Sequence, residues 1–319
     1  MAWWFYALVG LGAFLVLADL AAGYAAYRMS FVRFDPKPLD ESDPGVAFRE
    51  AERRKGKEWL FSHDPEDVRL MSRDGLLLKG YYLPAARPSN SLVVFSHGYG
   101  CTGPNEFGVF LEYYHEKGFH ILLPDHRSHG RSEGKYIGFA ALEWQDILDW
   151  ADAYVERLGP DTQVVLHGMS MGAATVMNCN AHNPPDYVKC VVEDCGYANG
   201  YEMMTLSAKR DMHIKFPPLF WACALWFRLF TGKSIRKDAD PYGNAARFGK
   251  PMLFVHGAGD TYVPCEMSVR CYAAAKVEKD LLLVDGADHV MSYYNEPALY
   301  QAKLDEWFAK WIKEAVKAQ

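Results

Sequence analysis

Short apolar runs alternate with longer amphipathic stretches beyond residue 66. Eight runs of apolar or β-branched residues end mostly in Gly, Pro, Asp or His, as strands do: Val68–Met71, Leu76–Leu83, Leu92–Ser96, Phe119–Leu123, Val164–His167, Val188–Glu193, Met252–His256 and Leu281–Val284. Amphipathic segments long enough for crossover helices are Leu142–Arg157, Ala173–His182, Met267–Lys276 and Pro297–Lys317. This alternation predicts an α/β fold, a mostly parallel eight-stranded sheet flanked by helices. The first two runs, joined by Ser72-Arg73-Asp74-Gly75, instead predict an antiparallel hairpin.

The amino-terminal segment has a different pattern. From Trp3 to Tyr27 its only charged residue is Asp19. A helix of this length rises about 37 Å, more than the roughly 30 Å of a bilayer core. Aromatic residues at both ends resemble the interfacial belts of membrane proteins. Residues 1–30 are therefore predicted to form a transmembrane anchor.

Two alternatives to an anchor stay open. The small residues around Ala22 and Ala25 permit a cleavage site, although a signal peptide would have Lys or Arg ahead of a shorter apolar run. A hydrophobic core helix is the other alternative. If the helix is retained, Arg28, Arg33 and Lys37 directly after it favour a single-pass protein of the cell membrane with the larger part in the cytoplasm. If it is cleaved, the protein is exported.

Residues 31–65 are predicted to be a juxtamembrane linker and helix. The charge run from Arg49 to Glu58 is interpreted as a solvated helix face, with lipid headgroup contact as the alternative. Because residues 1–30 carry no motif, their deletion is expected to leave a soluble and active protein.

Composition and charge narrow the function classes. Half of the 319 residues are hydrophobic and 23% are charged, which is ordinary for a globular protein. The net charge of −6 disfavours a nucleic-acid partner. The seven cysteines show no CxxC pair, so we expect reduced thiols and no metal site. The oligomeric state is left open.

The most informative motif is Gly168-Met169-Ser170-Met171-Gly172, between a predicted strand and a predicted helix. Glycines on either side of a serine permit a sharp turn that exposes its hydroxyl, and the helix start favours negative charge nearby. Ser170 is thus a candidate nucleophile.

A serine nucleophile needs a base that is oriented by an acid. Asp260 and His289 each follow a later predicted strand, and we expect them to act as acid and base. Asp194, at the end of the preceding strand, is the reserve acid, while Asp285 and Asp288 are interpreted as turn residues.

Two further loops follow strands. In Ser96-His97-Gly98-Tyr99-Gly100, glycine lets backbone amides approach a substrate oxygen, so the N–H groups of Tyr99 and Met171 are candidate oxyanion donors. His97 is expected to be structural. The loop from Asp125 to Ser132 is rich in His, Arg and Asp, but its interleaved Ser and Gly favour a wide supporting turn.

The motifs SHGYG, PDHRSHGRSEG, GMSMG, GAGDTYVP and DGADH, in this order, resemble the α/β-hydrolase superfamily over about residues 66–315. The chain is similar to bacterial serine hydrolases related to cinnamoyl esterases, monoacylglycerol lipases and prolyl-oligopeptidase-like domains. This resemblance implies Ser170 as nucleophile, His289 as base, Asp260 as its orienting acid, and oxyanion donors at Tyr99 and Met171. Arg127-Ser128 departs from the usual Arg-Gly, which we expect to change a turn only.

In such a protein, residues 66–319 form one hydrolase domain with a helical cap over the site, inserted at about 197–248. The cap region is rich in Met and aromatic residues, so Met203, Phe220 and Trp221, with Tyr99, are expected to contact substrate. Cap packing and membrane docking are the other uses of this apolar surface.

The expected activity is hydrolysis of a small-molecule carboxylic ester with an apolar acyl or aromatic group, through a Ser-His-Asp triad and an acyl-enzyme. The chemistry needs no cofactor. Thioesterase, amidase and peptidase activities use the same groups and stay open. So does a non-catalytic, membrane-tethered binding module.

Overall fold

Within residues 3–36 and 40–313, which the computed structural model describes, eight strands form one sheet in the spatial order β1-β2-β4-β3-β5-β6-β7-β8. The strands are β1 Glu66–Met71, β2 Leu77–Leu83, β3 Ser91–Ser96, β4 His120–Pro124, β5 Gln163–Met169, β6 Val188–Asp194, β7 Met252–Gly257 and β8 Lys279–Val284. Strand β2 is antiparallel to β1 and β4, and the other pairs are parallel. The predicted mostly parallel sheet and opening hairpin are confirmed, and Gly75 makes the turn with a φ of +86°.

The helices of these residues are α1 Trp3–Phe31, α2 Pro44–Ser62, α3 Gly103–Glu116, α4 Glu143–Leu158, α5 Met171–Ala181, α6 Gly200–Asp211, α7 Pro217–Thr231, α8 Pro241–Asn244, α9 Glu266–Ala274, α10 Ser292–Asn295 and α11 Pro297–Trp311. A short 3-10 helix covers Ala245–Arg247. The sequence pattern did not single out α3. The predicted last helix ends at Trp311, and both its predicted end, Lys317, and Lys37 lie outside the described residues.

Two apolar cores cover the two faces of the sheet. Side chains of β3 alternate between them. Leu92 and Val94 belong to the core that includes residues of α4, α5 and α9, whereas Val93 and Phe95 belong to the core that includes residues of α3 and α11. All six residues of β3 are buried. Burial on both faces explains why this strand reads as a continuous apolar run.

A third apolar cluster joins α1 to the insertion after β6, which contains α6, α7 and α8. Tyr27 and Phe31 of α1 are each only 1% exposed and belong to this cluster with Phe227 of α7. At Gly23 the helices touch so closely that an added Cβ would lie 2.4 Å from the Cβ of Ala222. The carboxyl-terminal part of α1 is therefore packed protein, while no residue of its most apolar 18-residue window is buried.

Helix α2 packs tightly on α3. An added Cβ at Gly56 would lie 2.2 Å from the carbonyl carbon of Gly108. Nearby, the guanidinium of Arg53 donates to the Glu106 carboxylate at 2.8 Å, and the Arg53 side chain is only 13% exposed. The run from Arg49 to Glu58 is thus not a fully solvated face, because Arg53 is held by a buried acid of a neighbouring helix.

The close contact of α2 and α3 makes a stability prediction. Gly56→Ala should gain about 1 kcal/mol of helix propensity. The new methyl group would clash with backbone atoms of α3, which no side-chain rotation can relieve. The destabilisation from this overpacking, about 1–3 kcal/mol or more, should exceed the gain in helix propensity. Thermal unfolding of the full-length protein should then show a Tm lowered by a few degrees. The matched control is Gly12→Ala, a helical position with no heavy atom within 4 Å. An equal or higher Tm for Gly56→Ala would contradict the described packing.

Candidate active site

Ser170 lies in a strained turn between β5 and α5. Its φ of 56° and ψ of −118° are rare for a residue with a side chain. The flanking glycines are needed sterically: an added Cβ at Gly168 would lie 2.2 Å from the Gly172 carbonyl oxygen, and one at Gly172 would lie 1.7 Å from that of Ser96. The turn thus presents the Ser170 hydroxyl at the carboxyl end of the sheet, where ligand sites of such folds lie.

Ser170, His289 and Asp260 are brought together from three loops. The Nε2 of His289 lies 2.9 Å from the Oγ of Ser170, and its Nδ1 lies 2.7 Å from an Asp260 carboxylate oxygen. The serine hydroxyl and Asp260 thus contact opposite nitrogens of one imidazole. In this arrangement the histidine can accept a proton from the hydroxyl while the carboxylate orients the ring.

Asp260 is held by backbone amides and by a second histidine. Its Oδ1 accepts hydrogen bonds from the N–H groups of Tyr262 and Val263 at 2.8 and 2.7 Å. The Nε2 of His256, at the end of β7, lies 3.2 Å from the other carboxylate oxygen. Burial acts to raise the pKa of Asp260, but the hydrogen bonds from His256 and His289 outweigh it and lower the pKa to about 2. The carboxylate is therefore charged at neutral pH.

His256 was not singled out from the sequence. It is fully buried, and its Nδ1 lies 2.7 Å from the Ser268 Oγ. Although burial acts to lower the pKa of His256, its hydrogen bond to Asp260 raises it. The available signal was its position at the end of a strand, directly before the loop of Asp260.

The reserve acid, Asp194, has other contacts. One carboxylate oxygen accepts a hydrogen bond from the Tyr300 hydroxyl at 3.0 Å, and its backbone carbonyl accepts one from the Ser170 N–H. Burial raises the pKa of Asp194 to about 7, so its charged form is disfavoured relative to that of Asp260. Asp288 shapes the turn as expected, since its carboxylate accepts from the N–H groups of Thr261 and His289.

The turn after β3 lies against Ser170. An added Cβ at Gly98 would be 3.3 Å from the Cβ of Ser170, and the Gly98 N–H donates to Glu106 at 3.2 Å. Met171 is the first residue of α5, and its N–H is one of those that a helix leaves without an internal partner. The amides of Tyr99 and Met171 thus belong to two turns that meet at Ser170. The Tyr99 hydroxyl donates to the Ser30 carbonyl of α1 at 2.9 Å.

The contacts of the loop after β4 are those of a supporting turn. Its Arg127 pairs with Asp146 of α4 at 2.6 Å, and the Nε2 of His126 lies 2.9 Å from the Ser96 hydroxyl. His97 is completely buried, accepts from the His126 N–H, and has its pKa lowered to about 4 by burial. At Ser128 the chain adopts a φ of +64°, a conformation that favours glycine.

A cavity of about 260 Å³ opens beside Ser170. Tyr99, Met203 and Phe220, which are expected to contact substrate, line it, and so does Met171. Trp221 does not: it is 63% exposed, because consecutive helical residues point about 100° apart and Phe220 takes the inward position. The expectation that Trp221 contacts substrate in this cavity is therefore corrected.

The cavity wall also contains residues of the amino-terminal helix that no sequence motif indicates. They are Ala26, Met29, Ser30 and Phe31. The expectation that residues 1–30 can be deleted without consequence relied on their lack of a motif. These residues line the cavity, and the Tyr99 hydroxyl donates a hydrogen bond to the Ser30 carbonyl. The lack of a motif is therefore no longer a reason to expect that the segment is dispensable. Apolar residues of an anchor have no sequence signature that would indicate such a role.

One group of side chains in the described residues has the composition of a metal site. Ligand atoms of Cys195, Asp260 and His289 lie within 4.8 Å of one another. Asp260 and His289 already hydrogen-bond to each other, and burial raises the pKa of the Cys195 thiol well above its usual range. A protonated thiol is a poor ligand, so the donor set does not fit a metal ion.

Comparisons with known proteins identify relatives in sequence and in fold. The chain is 25% identical to the uncharacterized protein YqkD of Bacillus subtilis over 233 residues, which cover 73% of this chain and 75% of that protein. An esterase of Pyrococcus furiosus superposes with a TM-score of 0.67 at 19% identity, covering 89% of this chain and 100% of the esterase. An acylaminoacyl peptidase of Pyrococcus horikoshii gives 0.60 at 19% identity, covering 82% of this chain and 45% of the peptidase.

These structural likenesses concern the fold. The family model described as "Alpha/beta hydrolase family" matches residues 93–302, about two thirds of the chain. This range begins in β3 and ends in α11, so it includes Ser170, Asp260 and His289. The chain belongs to the alpha/beta hydrolase family.

Proposed function

We propose that the protein is a membrane-anchored serine hydrolase that cleaves carboxylic esters with an apolar acyl or aromatic group. The observation that carries this proposal is the continuous hydrogen-bonded series Ser170 Oγ, His289 and Asp260, with contacts of 2.9 and 2.7 Å, at the wall of an apolar cavity. Hydrolase activity is supported by the family, and the apolar acyl or aromatic group of the proposed substrate is supported by the apolar lining of the cavity.

In the proposed reaction, the Ser170 hydroxyl attacks the ester carbonyl carbon while the Nε2 of His289 accepts its proton. The negative charge that develops on the carbonyl oxygen is stabilised by the N–H groups of Tyr99 and Met171 and by the amino end of α5. His289 then protonates the leaving alcohol, and an acyl-enzyme remains. Water attacks this intermediate with His289 as base and releases the acid.

Asp260 stabilises the imidazolium that forms at each proton transfer. Its pKa of about 2 keeps it charged when His289 accepts the proton. Two amides and His256 fix its orientation and compensate for its burial. These groups supply nucleophile, base and acid, so the proposed chemistry requires no cofactor or metal.

The anchor is part of this proposal. Helix α1 is long and apolar enough to cross a bilayer, and the unburied state of its most apolar window disfavours a core helix. Cleavage near Ala22 would remove the hydrogen bond of Leu20 with α7, and cleavage near Ala25 would also remove the contact of Gly23. These contacts favour a retained anchor, and Arg28 and Arg33 after the span favour a cytoplasmic domain.

The first test is covalent labelling. A fluorophosphonate probe should label the full-length protein, and Ser170→Ala should abolish both labelling and ester hydrolysis. Folding of the variant is checked by circular dichroism and thermal unfolding. Equal labelling of both proteins, or none of the folded wild type, would favour the non-catalytic binding module. Assays with matched nitrophenyl, thioester and anilide substrates then determine the preferred bond.

A second test separates the two candidate acids. Asp260→Asn keeps the shape of the side chain but removes the charge that pairs with His289, so kcat should fall by about 10³–10⁴. Asp194→Asn should stay within about tenfold of wild type, because Asp194 bonds to Tyr300 rather than to His289. Steady-state hydrolysis of a soluble nitrophenyl ester at one pH measures both. The reverse order of losses would assign the role of acid to Asp194.

A third test concerns the amino-terminal helix. Deletion of residues 2–18 should release the protein from membranes and preserve hydrolysis of a soluble ester, since the contacts with α7 begin at Leu20. Deletion of residues 2–31 also removes the buried rings of Tyr27 and Phe31, each worth about 1.5–3 kcal/mol. It should lower both Tm and kcat/KM. Equal activity of the two truncations would show that the cavity does not need α1.

A further inference from the structure

Helix α7 has two apolar faces. Its inner face packs on α1 and the cavity through Phe220, Cys223 and Phe227. Its outer face exposes Trp221, Leu225 and Leu229, which are 63%, 45% and 63% exposed. Their four-residue spacing aligns them in one stripe, named here the α7 ridge. A continuous exposed apolar stripe of this kind marks an interaction surface.

The ridge lies where α1 would leave a bilayer. Every residue of α1 from Trp3 to Ala18 is exposed and the next two are half-buried. A hydrocarbon core of roughly 30 Å that begins at Trp3 would extend to about Ala22. Contacts with α7 begin at that end, where the Trp226 Nε1 donates to the Leu20 carbonyl at 2.8 Å. The two helices thus meet at the membrane surface.

The cavity also opens at this level. Most of the residues by which α1 and α7 line the cavity are buried or half-buried. Met29 of α1 and Met212, directly after α6, also line the cavity but are well exposed, and they mark its mouth. Met29 is seven residues beyond Ala22, about 10 Å along the helix. The headgroup layer is roughly 5–8 Å thick on each side of the core. With a hydrocarbon core that ends near Ala22, the mouth would therefore lie within a few ångströms of the lipid headgroups.

The charges around the ridge suit the same environment. Arg28 follows the span on α1, and Arg228 lies beside Leu229 on α7; both are exposed. Long cationic side chains at such positions reach anionic headgroups while their stems cover apolar surface.

We propose that the α7 ridge inserts into the leaflet from which α1 emerges, so that the cavity beside Ser170 receives the acyl chain of a membrane-resident carboxylic ester directly from the bilayer. This inference rests on the proposed serine hydrolase activity and anchor, and it names the substrate class of the same site. The reaction is the ester hydrolysis already described, with water as the co-reactant.

The test uses full-length protein in vesicles of ether-linked phosphatidylcholine, which contain no carboxylic ester of their own. Each variant is assayed on 1-oleoylglycerol within the vesicles and on water-soluble nitrophenyl butyrate, and the ratio of the two rates is compared. Leu225→Glu should lower this ratio at least tenfold, because a carboxylate opposes insertion of the ridge. The control is Leu299→Glu on α11, which changes an equally exposed leucine (46%) remote from α1 and should leave the ratio within twofold.

Leu229→Glu provides a second ridge variant should Leu225→Glu misfold, and the short-ester rate reports folding of each. A ratio that stays within twofold of wild type in the folded ridge variants overturns the inference. So does a wild type that cleaves the soluble ester but not the embedded one, or a ridge variant that only converts a dimer to a monomer. Absence of both activities together with absence of fluorophosphonate labelling would instead overturn the proposed hydrolase activity.

Discussion

The turn between β5 and α5 leaves no room for a side chain at Gly168 or Gly172, two residues before and after Ser170. Because Gly172 has no Cβ, the first turn of α5 can pack against the Ser96 carbonyl at the end of β3. This contact brings together the serine, the amino end of α5 and the turn that contains Gly98 and Tyr99. Adjacent strands of the parallel sheet then carry Asp260 and His289 to the same edge. The proposed chemistry depends on this close approach, and the strained φ of Ser170 is its local cost.

Helix α1, the insertion after β6 and the cavity beside Ser170 form one connected structure. One apolar cluster contains Tyr27 and Phe31 of α1 together with Phe227 of the cap, and α1 also contributes to the wall of the cavity. On the opposite side, Arg53 of α2 binds Glu106, which in turn accepts from the Gly98 N–H. Segments that the sequence presents as a tether thus support the site from two directions, so the amino-terminal helices and the cavity are physically coupled.

Local signals explain what could be predicted. Strand β3 reads as an apolar run because both its faces are buried, and the Gly-x-Ser-x-Gly turn is recognisable because steric exclusion requires glycine there. The loops of Asp260 and His289 follow strands, so their meeting at one edge follows from parallel topology. The order of the motifs along the chain supplied the family.

Long-range packing explains what could not be predicted. Phe220 and Trp221 are neighbouring large aromatic residues, so the sequence does not distinguish them. Only the orientation of α7 decides which one faces the cavity. In the sequence, Arg53 is one charge of a run that is interpreted as solvated. In the structure, Glu106 of α3 lies beside it and forms an ion pair with it. Helix α3 contains two glycines and several aromatic residues, so its helical state depends on burial against the sheet and α2 rather than on propensity. His256 had no motif, since its role depends on its distance from Asp260.

Identification of the covalent intermediate tests most directly whether Ser170 is the nucleophile. Full-length protein is mixed with a nitrophenyl acyl ester, quenched in acid within the first turnovers, digested and analysed by peptide mass spectrometry. If Ser170 is the nucleophile, the peptide that contains it should carry one acyl group, localised to the Ser170 side chain. A burst of nitrophenol equal to the amount of enzyme should accompany this acylation. Acylation of a different residue, or steady product release with neither burst nor acylated peptide, would contradict the role of Ser170 as nucleophile.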